Sequence, residues 1–217
     1  MARLPGFFDV MVVDAPCSGS GLFRRDPEAV VEWSPENVTL CSQRQQRILA
    51  DAWPALKENG ILIYSTCSYS REEDEAILDW LSAELDADNI PLKIPPSWNI
   101  ITTVSDKRNC EGYRFYPDKI KGEGFFIACF RKRNGDTWQP RKQKDTLPAL
   151  AKKDREKLHP WISHVDQLFC MEHQGEVLLL PEAITPSVAI LQQQLYLRKA
   201  GVKAGQLAAK ELVPDHQ

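Results

Sequence analysis

Phe7-Phe8-Asp9-Val10-Met11-Val12-Val13 runs directly into Asp14-Ala15-Pro16-Cys17-Ser18-Gly19-Ser20-Gly21, and this junction decides the fold. The apolar run is too short for a helix. Its β-branched and aromatic side chains suit a strand covered on both faces, as in a parallel sheet. Open α/β sheets bind ligands just beyond the carboxyl ends of their strands, which puts Asp14 and Cys17 at a candidate rim. The same residues also read as a plain strand-loop junction, with Asp14 capping the turn and Cys17 a small buried apolar residue.

A second stretch repeats the pattern. Gly60-Ile61-Leu62-Ile63-Tyr64-Ser65-Thr66-Cys67-Ser68 is again a short apolar run that ends in small polar residues and a cysteine. Between the two runs, Ser34-Pro35-Glu36 opens a helix, with serine as N-cap and proline in the first helical position. That helix predicts an apolar face of Ile48, Leu49, Ala52 and Leu56, a kink at Pro54 and a stop at Asn59-Gly60. Strand, helix and strand in this order make a right-handed βαβ unit with parallel strands. Two neighbouring strands then deliver a thiol each to one edge.

Asp-Ala-Pro-Cys-Ser-Gly-x-Gly followed some fifty positions later by Tyr-Ser-Thr-Cys-Ser resembles the RNA (cytosine-5) methyltransferases, the Sun/nucleolar-protein family that includes the bacterial 16S rRNA methyltransferases of the F type. The resemblance implies the second half of a Rossmann-like sheet, S-adenosylmethionine as cofactor, and an RNA partner, ribosomal RNA foremost. It also assigns roles. Cys67, in the Thr-Cys motif, is the nucleophile, and Cys17, in the Pro-Cys motif, assists product release. In the DNA enzymes the Pro-Cys thiol attacks instead, so the two roles can be exchanged. Asp14 faces the cytosine ring and lies against the cofactor. The chemistry needs such groups, because carbon 5 of cytosine is a poor nucleophile until a thiolate adds to carbon 6. The target base has to leave its stack to be reached. Arg24, Arg25, Arg44 and Arg114 are the candidates for holding RNA phosphates, with unpaired surface arginines as the plain alternative.

The rest of the chain sets bounds. With 217 residues, 43% apolar and 26% charged, it has the composition of a globular protein able to bury a core. Its apolar runs are too short to cross a bilayer, and a cytoplasmic protein is expected. The six cysteines contain no Cys-x-x-Cys pair, so reduced thiols are expected rather than a disulfide framework or a metal site. Net charge is −3, yet Arg131 to Lys157 holds ten Lys/Arg against four Asp/Glu. This basic strip reads either as a phosphate-binding surface or as a solvated linker.

Ser70-Arg71-Glu72-Glu73 predicts a capping box, followed by a helix with Ala76, Ile77, Trp80, Leu81 and Leu85 on one face. That helix start could stabilise a thiolate at Cys67, against the acidic run Glu72 to Glu75. A strand is expected near Trp98 to Val104, then a loop at Arg114-Phe115-Tyr116-Pro117 and a closing strand over Gly124 to Phe130. The expected domains are residues 1–132 (catalytic half), 133–157 (basic linker) and 158–217, a small α+β, PUA-like RNA-binding module with a hairpin about His173-Gln174-Gly175-Glu176. No glycine-rich cofactor turn precedes Asp14. The chain therefore resembles the carboxy-terminal part of such an enzyme and is expected to be inactive alone. A non-catalytic RNA-binding protein that keeps the fold is the competing reading, and a thiol redox protein with a Cys17–Cys67 bridge is a third.

Overall fold

The structure, a computed structural model, describes residues 3–136, 138, 139, 147–197, 199–209 and 211–215. The chain divides into two compact units, Met1–Gln139 and Pro140–Gln217.

The first unit is a mixed sheet with helices. In chain order its elements are β1 (Phe8–Asp14), α1 (Pro27–Glu32), α2 (Pro35–Ala52), β2 (Leu56–Thr66), α3 (Glu75–Glu84), β3 (Ala87–Asn89), β4 (Ile101–Val104), β5 (Glu111–Phe115) and β6 (Phe125–Lys132). The sheet order is β1-β2-β6-β5-β4, with β3 pairing β6. β1 and β2 are parallel, with Val10 opposite Ile61 and Asp14 opposite Ser65, while β6 lies antiparallel to β2. The parallel pair therefore ends with Asp14 and Thr66 at one edge, and each strand runs there into its cysteine loop.

The α2 start forms as its residues dictate: the Ser34 side chain accepts from the Asn37 N–H, and Pro35 occupies the first turn. Its end differs from expectation. Pro54 does not kink a longer helix; α2 stops at Ala52, a single 3-10 turn spans Trp53–Ala55, and β2 already begins at Leu56. A ring without an N–H cannot continue the helical ladder. The Lys132 ammonium, buried, donates to the carbonyls of Trp53 and Leu56 and closes this turn.

The core packs Leu49 of α2 and Ile77, Leu78 and Leu81 of α3 with Leu62, Tyr64, Phe126 and Phe130 of the sheet, all essentially sealed from water. Each such side chain contributes about 1.5–3 kcal/mol by leaving water. β1 does not have the two covered faces expected of it. It pairs only with β2 among the described strands, and Val10 and Val12 stand 53% and 67% exposed.

The second unit holds α4 (Lys152–Arg155), β7 (Leu168–His173), β8 (Glu176–Pro181), α5 (Thr185–Gln194), β9 (Val202–Leu207) and β10 (Leu212–Pro214). Its sheet runs β10-β9-β8-β7, with neighbours antiparallel. The hairpin is tighter than the expected four-residue turn. His173 pairs with Glu176, leaving only Gln174 and Gly175 at φ 53° and 80°. Two positive φ angles match the twist of the flanking strands. Part of the basic strip falls outside the described residues, at 137 and 140–146. Within them, Arg133 pairs with Asp86 and Asp88, Arg155 donates to the Val165 and Leu168 carbonyls, and Lys157 pairs with Asp154. With Lys132 these four cations are committed to internal partners, so the strip carries fewer free charges than its composition suggests.

Candidate active site

Both cysteine loops leave the same edge of the parallel pair. The Ala15 N–H donates to the Ser65 carbonyl, and the Gly21 N–H donates to the Cys67 carbonyl at 2.6 Å, so the loops travel as a stapled pair. Gly21 is required there: a Cβ would lie 2.2 Å from the Cys67 carbonyl oxygen and 2.8 Å from that of Gly124. The result is a Cys17 Sγ to Cys67 Sγ distance of 2.9 Å, both thiols free and half-buried.

At that separation the two sulfurs share a hydrogen bond, and their acidities diverge. Hydrogen bonding to Cys67, then burial, pushes the Cys17 thiol far up. The same bond holds Cys67 below its ordinary value, although burial and the charges of Asp14 and Glu73 oppose it. The shared S–H thereby favours a single thiolate in the pair over two. Such a pair can hold one proton and one negative charge between its two sulfurs. Asp14 is exposed at the end of β1, with Oδ1 accepting from the Ser65 hydroxyl at 2.9 Å. It lies near enough to bear on the ionisation of Cys67.

Below the thiols is a polar cluster that the sequence reading did not identify. Glu73 is fully buried, and its carboxylate accepts from Ser18 N–H (2.8 Å), Ser18 Oγ (2.5 Å), Ser68 Oγ (2.7 Å) and Gln45 Nε2 (3.3 Å). Hydrogen bonds to a charged acceptor contribute about 1.5–3 kcal/mol each, which offsets the desolvation of a carboxylate for which no ion pair is formed among the described residues. The Tyr64 hydroxyl, 2.6 Å from the Glu73 carbonyl oxygen and 3.1 Å from Gln45 Oε1, ties the cluster to β2. Two signals were present in the chain. Cys17 and Cys67 are each followed directly by a serine, and Gln45 stands in the buried stripe of α2 with Val38, Leu49 and Ala52.

The expected capping box does not form. Residues 71–74 make turns, α3 starts at Glu75 without a side-chain cap, and the Glu73 carboxylate turns inward to the thiol loops. Arg114 is also corrected. It lies in β5 rather than a loop, 5% exposed, and grips Glu75 through Nε (2.8 Å) and Nη2 (2.6 Å), with Asp74 at 3.0 Å. A guanidinium so enclosed is spent on anchoring the α3 start and is not offered to a phosphate. Burial pushes the Asp74 carboxyl up to about 8, against the pull of Arg114. Burial would also raise Glu75, but Arg114 and Thr103 outweigh it and hold that carboxyl low. Arg24, Arg25 and Arg44 are solvent-facing or partly so. Arg24 donates to the Pro117 carbonyl, and Arg25 lies 3.6 Å from Glu123. Among the described residues no cluster of three or more His, Cys, Asp or Glu is arranged to hold a metal ion, and no helix is long and apolar enough to cross a membrane.

The sheet and its rim define a class: an α/β protein consistent with the Rossmann-like S-adenosylmethionine-dependent methyltransferases. More narrowly, the chain belongs to the 16S rRNA methyltransferase RsmB/F family, whose model matches residues 2–131. It is 31% identical over 198 residues to ribosomal RNA small subunit methyltransferase F of Pectobacterium carotovorum, covering 84% of this chain and 40% of that one. To the protein of the same name from Psychromonas ingrahamii it is 30% identical over 211 residues, covering 92% and 42%. The chain thus spans about two fifths of the length of these relatives. The crystal structure of PH0851 superposes with a TM-score of 0.50 at 29% identity, over 59% of this chain and 27% of that one. The family uses S-adenosylmethionine. Asp14, an exposed carboxylate at the rim, fits a cationic donor; the other groups gathered there are the two thiols and, buried beneath them, the Glu73 carboxylate with its serine and glutamine partners.

Proposed function

We propose that this chain supplies the nucleophile-bearing part of an S-adenosylmethionine-dependent RNA methyltransferase that forms 5-methylcytosine in ribosomal RNA. The observation that carries the reading is the 2.9 Å approach of Cys17 and Cys67 beside Asp14, at the carboxyl ends of two parallel strands. The Cys67 thiolate adds to carbon 6 of an unstacked cytosine, which makes carbon 5 enamine-like. Bound S-adenosylmethionine supplies the methyl group as a sulfonium. Asp14 faces the ring nitrogen and amino group of cytosine, where a carboxylate stabilises developing positive charge. Once carbon 5 is methylated, a base removes its proton, the carbon 6–sulfur bond breaks, and Cys17, carrying its proton beside Cys67, assists that release.

Arg24, Arg25 and Arg44 are assigned to RNA phosphates, together with the free cations of the basic segment and the PUA-like second unit. Because the relatives are more than twice as long, turnover is assigned to the chain combined with the remaining length of the family's catalytic domain, in the cytoplasm. By itself this chain is proposed to be inactive. The test uses that combination, a 16S rRNA transcript and labelled methyl donor. Cys67→Ser abolishes transfer, whereas Cys17→Ser accumulates a protein–RNA adduct that survives denaturing electrophoresis. Methyl transfer that persists at the wild-type rate without Cys67 would sink the assignment.

A further inference from the structure

The two thiols belong to loops fifty residues apart in sequence, and the strand pairing beneath them fixes only their backbones at Ala15, Gly21, Ser65 and Cys67. A 2.9 Å contact between side chains on separate loops needs something that sets the orientation of each loop just beyond its cysteine. Ser20 ties the loops once, its Oγ accepting from the Tyr69 N–H at 2.8 Å and lying 3.4 Å from Ser68 Oγ, and Glu73 reaches the residue directly after each thiol. Glu73 Oε1 accepts from the Ser18 N–H, the peptide nitrogen immediately after Cys17, and Oε2 accepts from the Ser18 and Ser68 hydroxyls, the residues that directly follow each thiol. Ser68 is held further, its N–H donating to Thr66 Oγ1 and its hydroxyl accepting from the Ser70 N–H. Glu73 itself is immobilised by Gln45 Nε2 and by the Tyr64 hydroxyl at its carbonyl.

We infer that Glu73 is a positioning residue, a buried carboxylate clamp that sets the Cys17 and Cys67 thiols against each other for the reaction proposed above. This rests on that reading for its purpose but not for its test. Two roles are open to a carboxylate in this place, and they differ in sign. As a nearby negative charge Glu73 disfavours a thiolate on Cys67, so a purely electrostatic role means that removing it makes Cys67 easier to ionise. As a clamp, its removal separates the sulfurs, deprives Cys67 of the Cys17 S–H, and makes Cys67 harder to ionise.

The experiment uses the whole chain, without RNA or methyl donor. The pH dependence of Cys67 alkylation by iodoacetamide is read by peptide mass spectrometry. Closure of the Cys17–Cys67 disulfide is timed with diamide, which takes up the two hydrogens the thiols lose. For Glu73→Ala the alkylation midpoint is expected to move to higher pH and disulfide closure to slow at least tenfold. Glu73→Gln keeps an acceptor for Ser18 N–H, and its amide can donate to the serine hydroxyls. It is expected to keep closure within threefold of wild type, with an alkylation midpoint no higher. A midpoint that falls in Glu73→Ala, or closure within twofold of wild type, overturns the clamp. Should Glu73→Ala fail to fold, the pair Ser18→Ala and Ser68→Ala, which cuts both hydroxyl legs and leaves the Ser18 N–H in place, decides instead. Slowing of threefold or more supports the clamp, and an unchanged rate refutes it. Because no methylation is measured, failure here leaves the adduct experiment standing, and failure there leaves this one.

Discussion

Replacing Gly21 by alanine tests whether the two cysteine loops are spaced as described. The added Cβ would sit 2.2 Å from the Cys67 carbonyl oxygen and 2.8 Å from that of Gly124, where ordinary contact begins at 3.4 Å. Both obstacles are backbone, so no side chain can swing aside and the loops must part by about an ångström. Overpacking of this kind costs about 1–3 kcal/mol. The Gly21 N–H to Cys67 carbonyl bond, 2.6 Å, is lost with it, at about 0.5–1.5 kcal/mol. Together about 1.5–4.5 kcal/mol are at stake, which corresponds to exchange about 13- to 2,000-fold faster for globally protected amides. Hydrogen–deuterium exchange of peptides covering β1 and β2 reads the first unit without interference from the second. Gly19→Ala in the same loop is the control. It meets nothing within 4 Å and suffers only from φ +79°, a cost of about 1–2 kcal/mol. A Gly21→Ala protein that exchanges like wild type, or no faster than Gly19→Ala, would show that the loops are not packed as the distances say.

Three further outcomes follow from burial and charge. Arg114→Met leaves Asp74 and Glu75 sealed without their cation, and thermal unfolding of the first unit should register a loss of about 3–5 kcal/mol; a change below about 1 kcal/mol contradicts the buried grip. Asp74 holds its proton more tightly folded, up to about 8, than at its ordinary 3.8. Its contribution to stability is complete at low pH and declines as pH rises from about 4 to about 8. Asp74→Asn should flatten that part of the stability-against-pH curve, and an unaltered slope counts against the assignment. Leu62→Ala should cost about 2–5 kcal/mol by urea unfolding, while Val12→Ala, on the exposed side of β1, should stay within about 0.5 kcal/mol. Equal costs would mean that both faces of β1 are covered.

The parallel pair was readable because short apolar runs ending in turn residues have few other ways to be satisfied, and Ser34-Pro35 marks a helix start through local chemistry alone. The convergence of Cys17 with Cys67 followed from topology once both runs were strands. Glu73 escaped because its spacing from Ser70 matches a capping box. Only the folded chain shows that Ser18, from a loop 55 residues earlier, competes for the same carboxylate. Arg114 escaped for a related reason: Tyr116-Pro117 suggests a loop, and a guanidinium in a loop suggests solvent. The acids that bury it, Asp74 and Glu75, belong to a helix start forty residues away in sequence. β1 erred the other way, since a two-sided apolar pattern records what a strand is suited to contact, whereas exposure records what this chain places there.

The outer side of β1 has a practical corollary. A row of amide and carbonyl groups flanked by Val10 and Val12 is a template for lateral growth, open to any extended segment that meets it. At high protein concentration such a margin should nucleate aggregates, and the charge of a lysine at position 12 should slow them without disturbing the thiols.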